Sequence, residues 1–296
     1  MKKQLFVTTF CSLLLAGYGC SSPQANDAMQ DLTQYVDPYI GSGGHGHVFV
    51  GANVPYGLVQ LGPSSIPQEW DWTSGYHISD STVIGFPHMH LSGTGIGDLH
   101  DITLMPVTGE VTYARGVESD QTSGLWSYSD RSKEVVKPGY YATHLLRYDV
   151  DVELTATKRV GFHKYTFNQK ENAAVVFDLQ NGGCWDSPTK AYINKVDDKT
   201  IEGYRYSSGW ANDQRVFFVA EFSEPITSLD VIVDRGEAVA DKGEGKIVYA
   251  RANVDAQKPV YVKVALSPTS IENAKLNMQT ELPGWDFEGT IAQADQ

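Results

Sequence analysis

From Tyr35 onward, short apolar runs alternate with turn residues, and helical periodicity is scarce. Val150-Asp151-Val152-Glu153-Leu154 alternates with period two. That is the mark of a half-buried strand, because successive side chains leave opposite faces of an extended chain. Residues 160–167, 173–179, 216–222, 228–233, 246–250 and 259–266 read the same way, rich in Val, Tyr, Phe and Thr and bounded by Gly, Asn, Asp or Pro. Asn168–Asn172 and Asp197–Lys199 read as hairpin connections. Strands that follow one another with few helices between them predict an all-β fold, a large antiparallel two-sheet β-sandwich with more strands than an immunoglobulin-size module.

The pattern changes near the end. Thr269-Ser270-Ile271-Glu272 has the form of a capping box, and Ile271, Ala274, Met278 and Leu282 give a loose apolar stripe. Pro283-Gly284 stops that helix, and Trp285-Asp286-Phe287 reads as the opening of another. A helix of about ten residues is marginal without a partner. Residues 269–296 therefore read as a short helical segment interrupted on its way into a second domain. At the other end, Lys2-Lys3, the apolar run Leu5–Ala16 and Gly17-Tyr18-Gly19-Cys20 have the layout of an export signal. The apolar run is too short to span a bilayer. The expected division is a signal peptide at 1–19, a polar tether at 20–34, a sandwich domain at 35–268 and a truncated helical linker at 269–296. The small residue before Cys20, with Ser21-Ser22-Pro23 after it, suggests lipidation at Cys20, although Gly17 stands where such sites usually carry leucine.

Charge and cysteines narrow the functional classes. The formal net charge is −13, and loss of residues 1–19 with Lys2 and Lys3 takes it to −15. An acidic excess without a basic block argues against nucleic acid and anionic lipid surfaces and suits an exported protein that handles neutral ligands. The expected membrane contact is confined to the lipid anchor, and the expected location is the periplasm or the cell surface. Cleavage would leave Cys20 and Cys184. With Cys20 acylated, Cys184 has no intrachain partner and reads as a small packed residue, so no disulfide framework holds the fold.

Candidate chemistry concentrates between Gly41 and Asp101. Gly43-Gly44-His45-Gly46-His47 lets the backbone approach a ligand closely, but lacks the Lys-Ser/Thr or strand–helix setting of a phosphate loop. Trp70-Asp71-Trp72 with Tyr76-His77 combines flat apolar faces with hydrogen-bonding groups, as a pyranose ring requires. Two core tryptophans beside a turn fit the same residues. His88 and His90, in an extended segment, would share one face and could chelate zinc with His45, His47 or Asp98. Structural or ligand hydrogen bonding is the commoner use of such histidines, and no metal site is assigned. Asp71, Asp80, Asp98 and Asp101 contain the makings of two acids flanking a glycosidic bond, or are turn aspartates bonding nearby amides. No GxSxG occurs. Gly203–Phe218 reads as a polar and aromatic surface loop carrying Arg205, Trp210 and Asp213-Gln214 ahead of an apolar strand, suited to docking a neighbouring domain.

Six ordered blocks then point to one family: "YVDPYIGSGGHGHVFVGANVPYGLVQLGP", "WDWTSGYHISDSTVIGFPHMHLSGTGIGDLHDITLMP", "GYYATHLL", "VELTATKRVGFHKYTF", "GYRYSSGWANDQRVFFVAEFS" and "VKVALSPTSIENAKLNMQTELPGWDFE". From Tyr35 to Glu288 the chain resembles the amino-terminal domain of the family 92 glycoside hydrolases. The resemblance implies an exported, calcium-dependent, inverting exo-α-mannosidase acting on mannose-containing glycans, N-glycans and mannans among them. Such enzymes pair a β-sandwich with a helical (α/α)6 barrel that carries the general acid, the base and most calcium ligands. The resemblance places that barrel beyond Gln296. By this reading no catalytic or metal-binding residue falls within the sequence, and the chain alone is inactive. The implied wall of the mannose pocket is His45, His47, Trp70, Trp72, Tyr76, His77, His88 and His90. The alternative is a stand-alone exported carbohydrate-binding module.

Overall fold

The computed structural model describes residues 32–182 and 185–296. The expected signal peptide, Cys20 and Cys184 lie outside the described residues. Two antiparallel sheets dominate. The larger has nine strands, in spatial order Lys242–Gly245, Ser187–Lys195, Thr200–Ser208, Gln214–Phe222, Val260–Ser267, Val160–Phe167, Val150–Ala156, Tyr140–Leu145 and Val135–Lys137. The smaller has five: Ala238–Ala240, Ile226–Val233, Val248–Val254, Ala174–Asp178 and Thr103–Val107. They form the expected sandwich. Phe177 of the smaller sheet meets Phe218 and Phe222 of the larger at ring separations of 5.9 and 6.2 Å.

Period-two alternation decides what each central strand contributes to which layer. In Val160–Phe167 the odd positions Tyr165 and Phe167 enter the core between the sheets. The even positions Val160 and Phe162 join a separate cluster on the outer face with Ala265, Met278, Leu282 and Phe287. Two helices supply that cover, α1 (Ile271–Glu281) and α2 (Phe287–Ala294). Each finds in the sheet the partner that its length alone demands. Along α1 the buried residues are Ala274 and Met278, with Leu282 just past its end, matching three members of the expected stripe. Its cap is Ser270, which accepts a hydrogen bond from the Asn273 amide, so the helix starts one residue later than a box built on Thr269. Asp286 caps α2 through the Gly289 amide.

Three local expectations are corrected. Asn168–Asn172 is no hairpin, because Val160–Phe167 and Ala174–Asp178 belong to different sheets and the segment crosses between them. Gly203–Ser208 is not a surface loop; it completes a strand whose inward face carries Ile201, Gly203, Arg205 and Ser207. The strand expected at 246–250 begins at Val248, because the Asp234 carboxylate holds the Lys246 and Ile247 amides in a turn. Asp197–Lys199 does close a hairpin between paired strands.

Candidate functional site

The Gly41–His47 segment folds back on itself so tightly that a Cβ on Gly46 would lie 2.1 Å from the Gly41 carbonyl oxygen. A short 3-10 turn over Gly44–Gly46 then delivers His47 in the left-handed region, at φ 55°. Histidine tolerates that region better than most non-glycine residues, but only where its surroundings hold it. Here the Gly93 amide donates to the His47 carbonyl at 2.6 Å, and His47 Nδ1 meets Thr73 Oγ1 at 2.7 Å. The ring is buried, and its Nε2 has no hydrogen-bond partner. His45, by contrast, projects outward on its glycine hinges and bonds Asp71 Oδ1 through Nδ1 at 2.6 Å.

Trp70, Asp71 and Trp72 occupy a second 3-10 turn facing this loop. The Trp70 indole is 52 % exposed, yet it is fixed. Its Nε1–H donates to the Gly95 carbonyl at 2.9 Å, and its ring lies 4.2 Å from that of His47 and 5.4 Å from that of His45. Trp72 turns the other way, stacking on His77 at 4.3 Å and donating to Asp80 Oδ2. The Gly93–Asp98 loop ties this corner to more distant chain. Gly97 accepts from the Trp185 amide at 3.0 Å, and Asp98 accepts from the Trp210 amide at 2.8 Å. Three half-exposed or exposed indoles, Trp70, Trp185 and Trp210, thus project from one system of interlocked loops.

Beneath them the polar residues are consumed by structure. Arg205 is wholly buried and spends its donors on Asp101, Asp186 and the Leu179 and Gln180 carbonyls. Burial pushes the Asp101 carboxyl up to about 6, against the pull of Arg205, with Asp186 adding to the rise. Asp98 accepts from the Leu99 and Trp210 amides, and Asp80 from Trp72, Gln68 and the Thr82 amide. Of the four aspartates considered from sequence, Asp71 alone stays partly open on the exposed rim.

The eight candidate wall residues therefore divide. His45, His47 and Trp70 come together; Trp72 and His77 form a second layer behind them. Tyr76 points inward, its hydroxyl accepting from Arg131 at 2.6 Å and donating to Glu134. His88 and His90 do not reach the face and do not chelate jointly with His45, His47 or Asp98, because their rings are buried and engaged elsewhere. His88 donates from Nδ1 to the Ile102 carbonyl, so its Nε2 must accept from His163 Nε2–H at 2.9 Å; His163 Nδ1 in turn accepts from Tyr165. His90 donates to the Gln60 carbonyl. Burial holds both His88 and His90 down at about 4, and His100 and His163 well below the usual imidazole range. Thr73 and Trp185 are not among the residues that the sequence marks for this site, and the Gly93–Asp98 stretch reads from sequence as a turn presenting a carboxylate, with no hint that Gly95 anchors Trp70. Thr73 follows directly on the Trp-Asp-Trp triplet, whereas nothing local marks Trp185.

Among the described residues, a single grouping of three His, Cys, Asp or Glu has ligand atoms close together: His45, His47 and Asp71, all within 4.8 Å of one another. Two imidazole nitrogens and one carboxylate are not the six to eight oxygens that calcium takes. These residues do not fit the calcium that the resemblance implies.

Residues 35–267 match the Glycosyl hydrolase family 92 N-terminal domain. An α-mannosidase of that family from Bacteroides thetaiotaomicron, solved in complex with mannoimidazole, is 34 % identical, with a TM-score of 0.85 over 90 % of this chain and 36 % of its own. A second enzyme from that organism, a family 92 inverting mannosidase, shares the fold at 21 % identity and TM-score 0.72, covering 88 % of this chain and 35 % of its own. An uncharacterized secreted glycosidase of Arthroderma benhamiae is 24 % identical over 90 % of this chain and 37 % of its own. The chain spans little more than a third of each of these relatives. A match running through nearly the whole sandwich, with the glycine–histidine and Trp-Asp-Trp loops inside it, makes this chain a member of glycoside hydrolase family 92, represented by its amino-terminal domain.

Proposed function

We propose that this chain is the amino-terminal part of an exported, calcium-dependent, inverting exo-α-mannosidase acting on mannose-containing glycans, N-glycans among them. The observation that carries the reading is Trp70, an accessible indole locked at its N–H by Gly95 and on its ring by His47, with His45 and Asp71 beside it. A pyranose gains from such a flat surface beneath its C–H face and from polar groups around its hydroxyls. The likeness to a mannosidase that binds mannoimidazole supports mannose as the sugar. On this reading His45 and Trp70 form the wall; His47, Trp72, Tyr76 and His77 position it; His88 and His90 lie behind it.

Inversion takes two carboxyl groups about 6.5–9.5 Å apart with water between them. Asp80, Asp98 and Asp101 are committed to internal bonds. Following the family resemblance, we place both acids and the calcium in an (α/α)6 barrel docked on this face, in cis or in trans, so that the chain alone is inactive. Trp185 and Trp210 supply apolar area for that docking. The secreted fungal relative supports export, which we place at the periplasm or the cell surface with a lipid anchor at Cys20.

An aryl α-mannoside assay with calcium tests this reading. The chain alone should be inert, and adding a separately expressed helical barrel from a family 92 mannosidase should restore turnover. Trp70→Ala should then lower kcat/KM by at least about tenfold. Turnover by the chain alone would overturn the assignment. Mannoside binding without any contribution from the barrel would favour a stand-alone binding module, which the exposed indoles also suit.

A further inference from the structure

We propose that His45, His47 and Asp71 form a binding site for a divalent transition metal of the zinc class. The argument starts from His47. Its Nε2 is buried and carries no hydrogen bond, although a bare polar nitrogen inside a protein costs free energy. The atom points towards Asp71 Oδ1 at 3.7 Å, too far for a hydrogen bond and close to the separation of two ligands on one metal. Zinc bonds of 2.0–2.2 Å in a tetrahedron set neighbouring ligand atoms about 3.3 Å apart.

The other nitrogen of the ring is already arranged for this. With Nδ1–H donating to Thr73 Oγ1 at 2.7 Å, the Nε2 lone pair faces the site. Metal-bound histidines are oriented by such outer hydrogen bonds as a rule. His45 brings Nδ1 to within 2.6 Å of the same Asp71 oxygen, and all three ligand atoms lie within 4.8 Å of one another. To reach the ligand spacing of a tetrahedral site, the His45–Asp71 distance must open by roughly 0.7 Å and His45 must swing towards His47. The His45 side chain is 78 % exposed and flanked by glycines, so it can make that move at little cost. Its exposure also leaves the fourth position open to water. Two imidazoles and one carboxylate suit zinc, cobalt or nickel and not calcium. The inference does not depend on which sugar the face takes, or on whether it takes one.

Calorimetric titration of the chain with zinc, cobalt and calcium tests the site, together with the visible spectrum of the cobalt form. The expected result is one equivalent of zinc or cobalt, with the d–d bands of four nitrogen and oxygen ligands and no thiolate charge transfer. His45→Ala, which alters an exposed side chain, and Asp71→Asn should each weaken binding by at least about 30-fold, and Thr73→Val by about tenfold. Circular dichroism confirms that each variant is folded. Absence of zinc binding by the wild-type chain would overturn the proposal. So would equal affinity in His45→Ala and Asp71→Asn, a thiolate band in the cobalt spectrum, or calcium displacing the bound zinc.

Discussion

Gly161 leaves room for an imidazole. A Cβ at that position would stand 2.6 Å from the His88 ring carbon and 2.9 Å from its Nε2, the atom that accepts from His163. Gly161→Ala should therefore push His88 off its partner and lower stability by about 1–3 kcal/mol, read from the urea midpoint. Arg205 poses the complementary case, a charge whose removal leaves other charges stranded. Arg205→Met should cost about 3–5 kcal/mol in the same measurement, since Asp101 and Asp186 would stay buried without their cation. Because that guanidinium also holds Asp186, whose neighbour Trp185 donates to the Gly97 carbonyl, the Trp185 and Trp210 loops should loosen with it. Faster hydrogen exchange at the Trp185 and Trp210 amides would report this.

Between residues and the whole fold stand the strands and helices, each with two faces to satisfy. Odd and even positions of Val160–Phe167 serve different layers, so one strand carries both the His163 relay and the seat for α2. Phe287 fills that seat, 5.0 Å from Phe162 and 5.9 Å from Tyr261. Phe287→Ala should detach α2 and lower stability by about 3 kcal/mol, with the loss of helical signal preceding sheet unfolding in a denaturant series. The buried relay and the Arg205 cluster should be untouched in this variant, because both lie on the other side of the sheet.

For the molecule as a whole, buried histidines tie stability to pH. His88 and His90 are held at about 4 by burial, and His100 and His163 are held well below the usual imidazole range by the same cause. In the unfolded chain these four take up protons near 6.5, so the unfolded state binds more protons as the pH falls from 6.5 towards 4. Each histidine kept neutral then removes about 1.4 kcal/mol of stability per pH unit. Asp101, raised to about 6, and Asp178, also raised by burial, act in the opposite sense over the acid range, because the folded state holds their protons more tightly. Four groups against two leave a net loss. Thermal melts should be constant above pH 7 and fall steadily between pH 6.5 and 4. In His163→Gln the slope of that fall should be shallower.

The sequence by itself determined the all-β class, seven of the fourteen strands in the two sheets and both helices, because alternation, capping residues and turn formers are local signals that act wherever the chain runs. It also picked out His45, His47 and Trp70, which share short glycine-rich or aromatic stretches. Strand Thr200–Ser208 was obscured because its inward face carries Gly203, Arg205 and Ser207, acceptable only where two distant aspartates wait. Tertiary structure alone decided that His88 pairs with His163, 75 residues away, instead of with the neighbouring His90. It likewise decided that the Trp210 amide meets Asp98 across 112 residues. Burial and long-range partnering are properties of packed layers, and no spacing along a chain encodes which side of a sheet a histidine will be sealed behind.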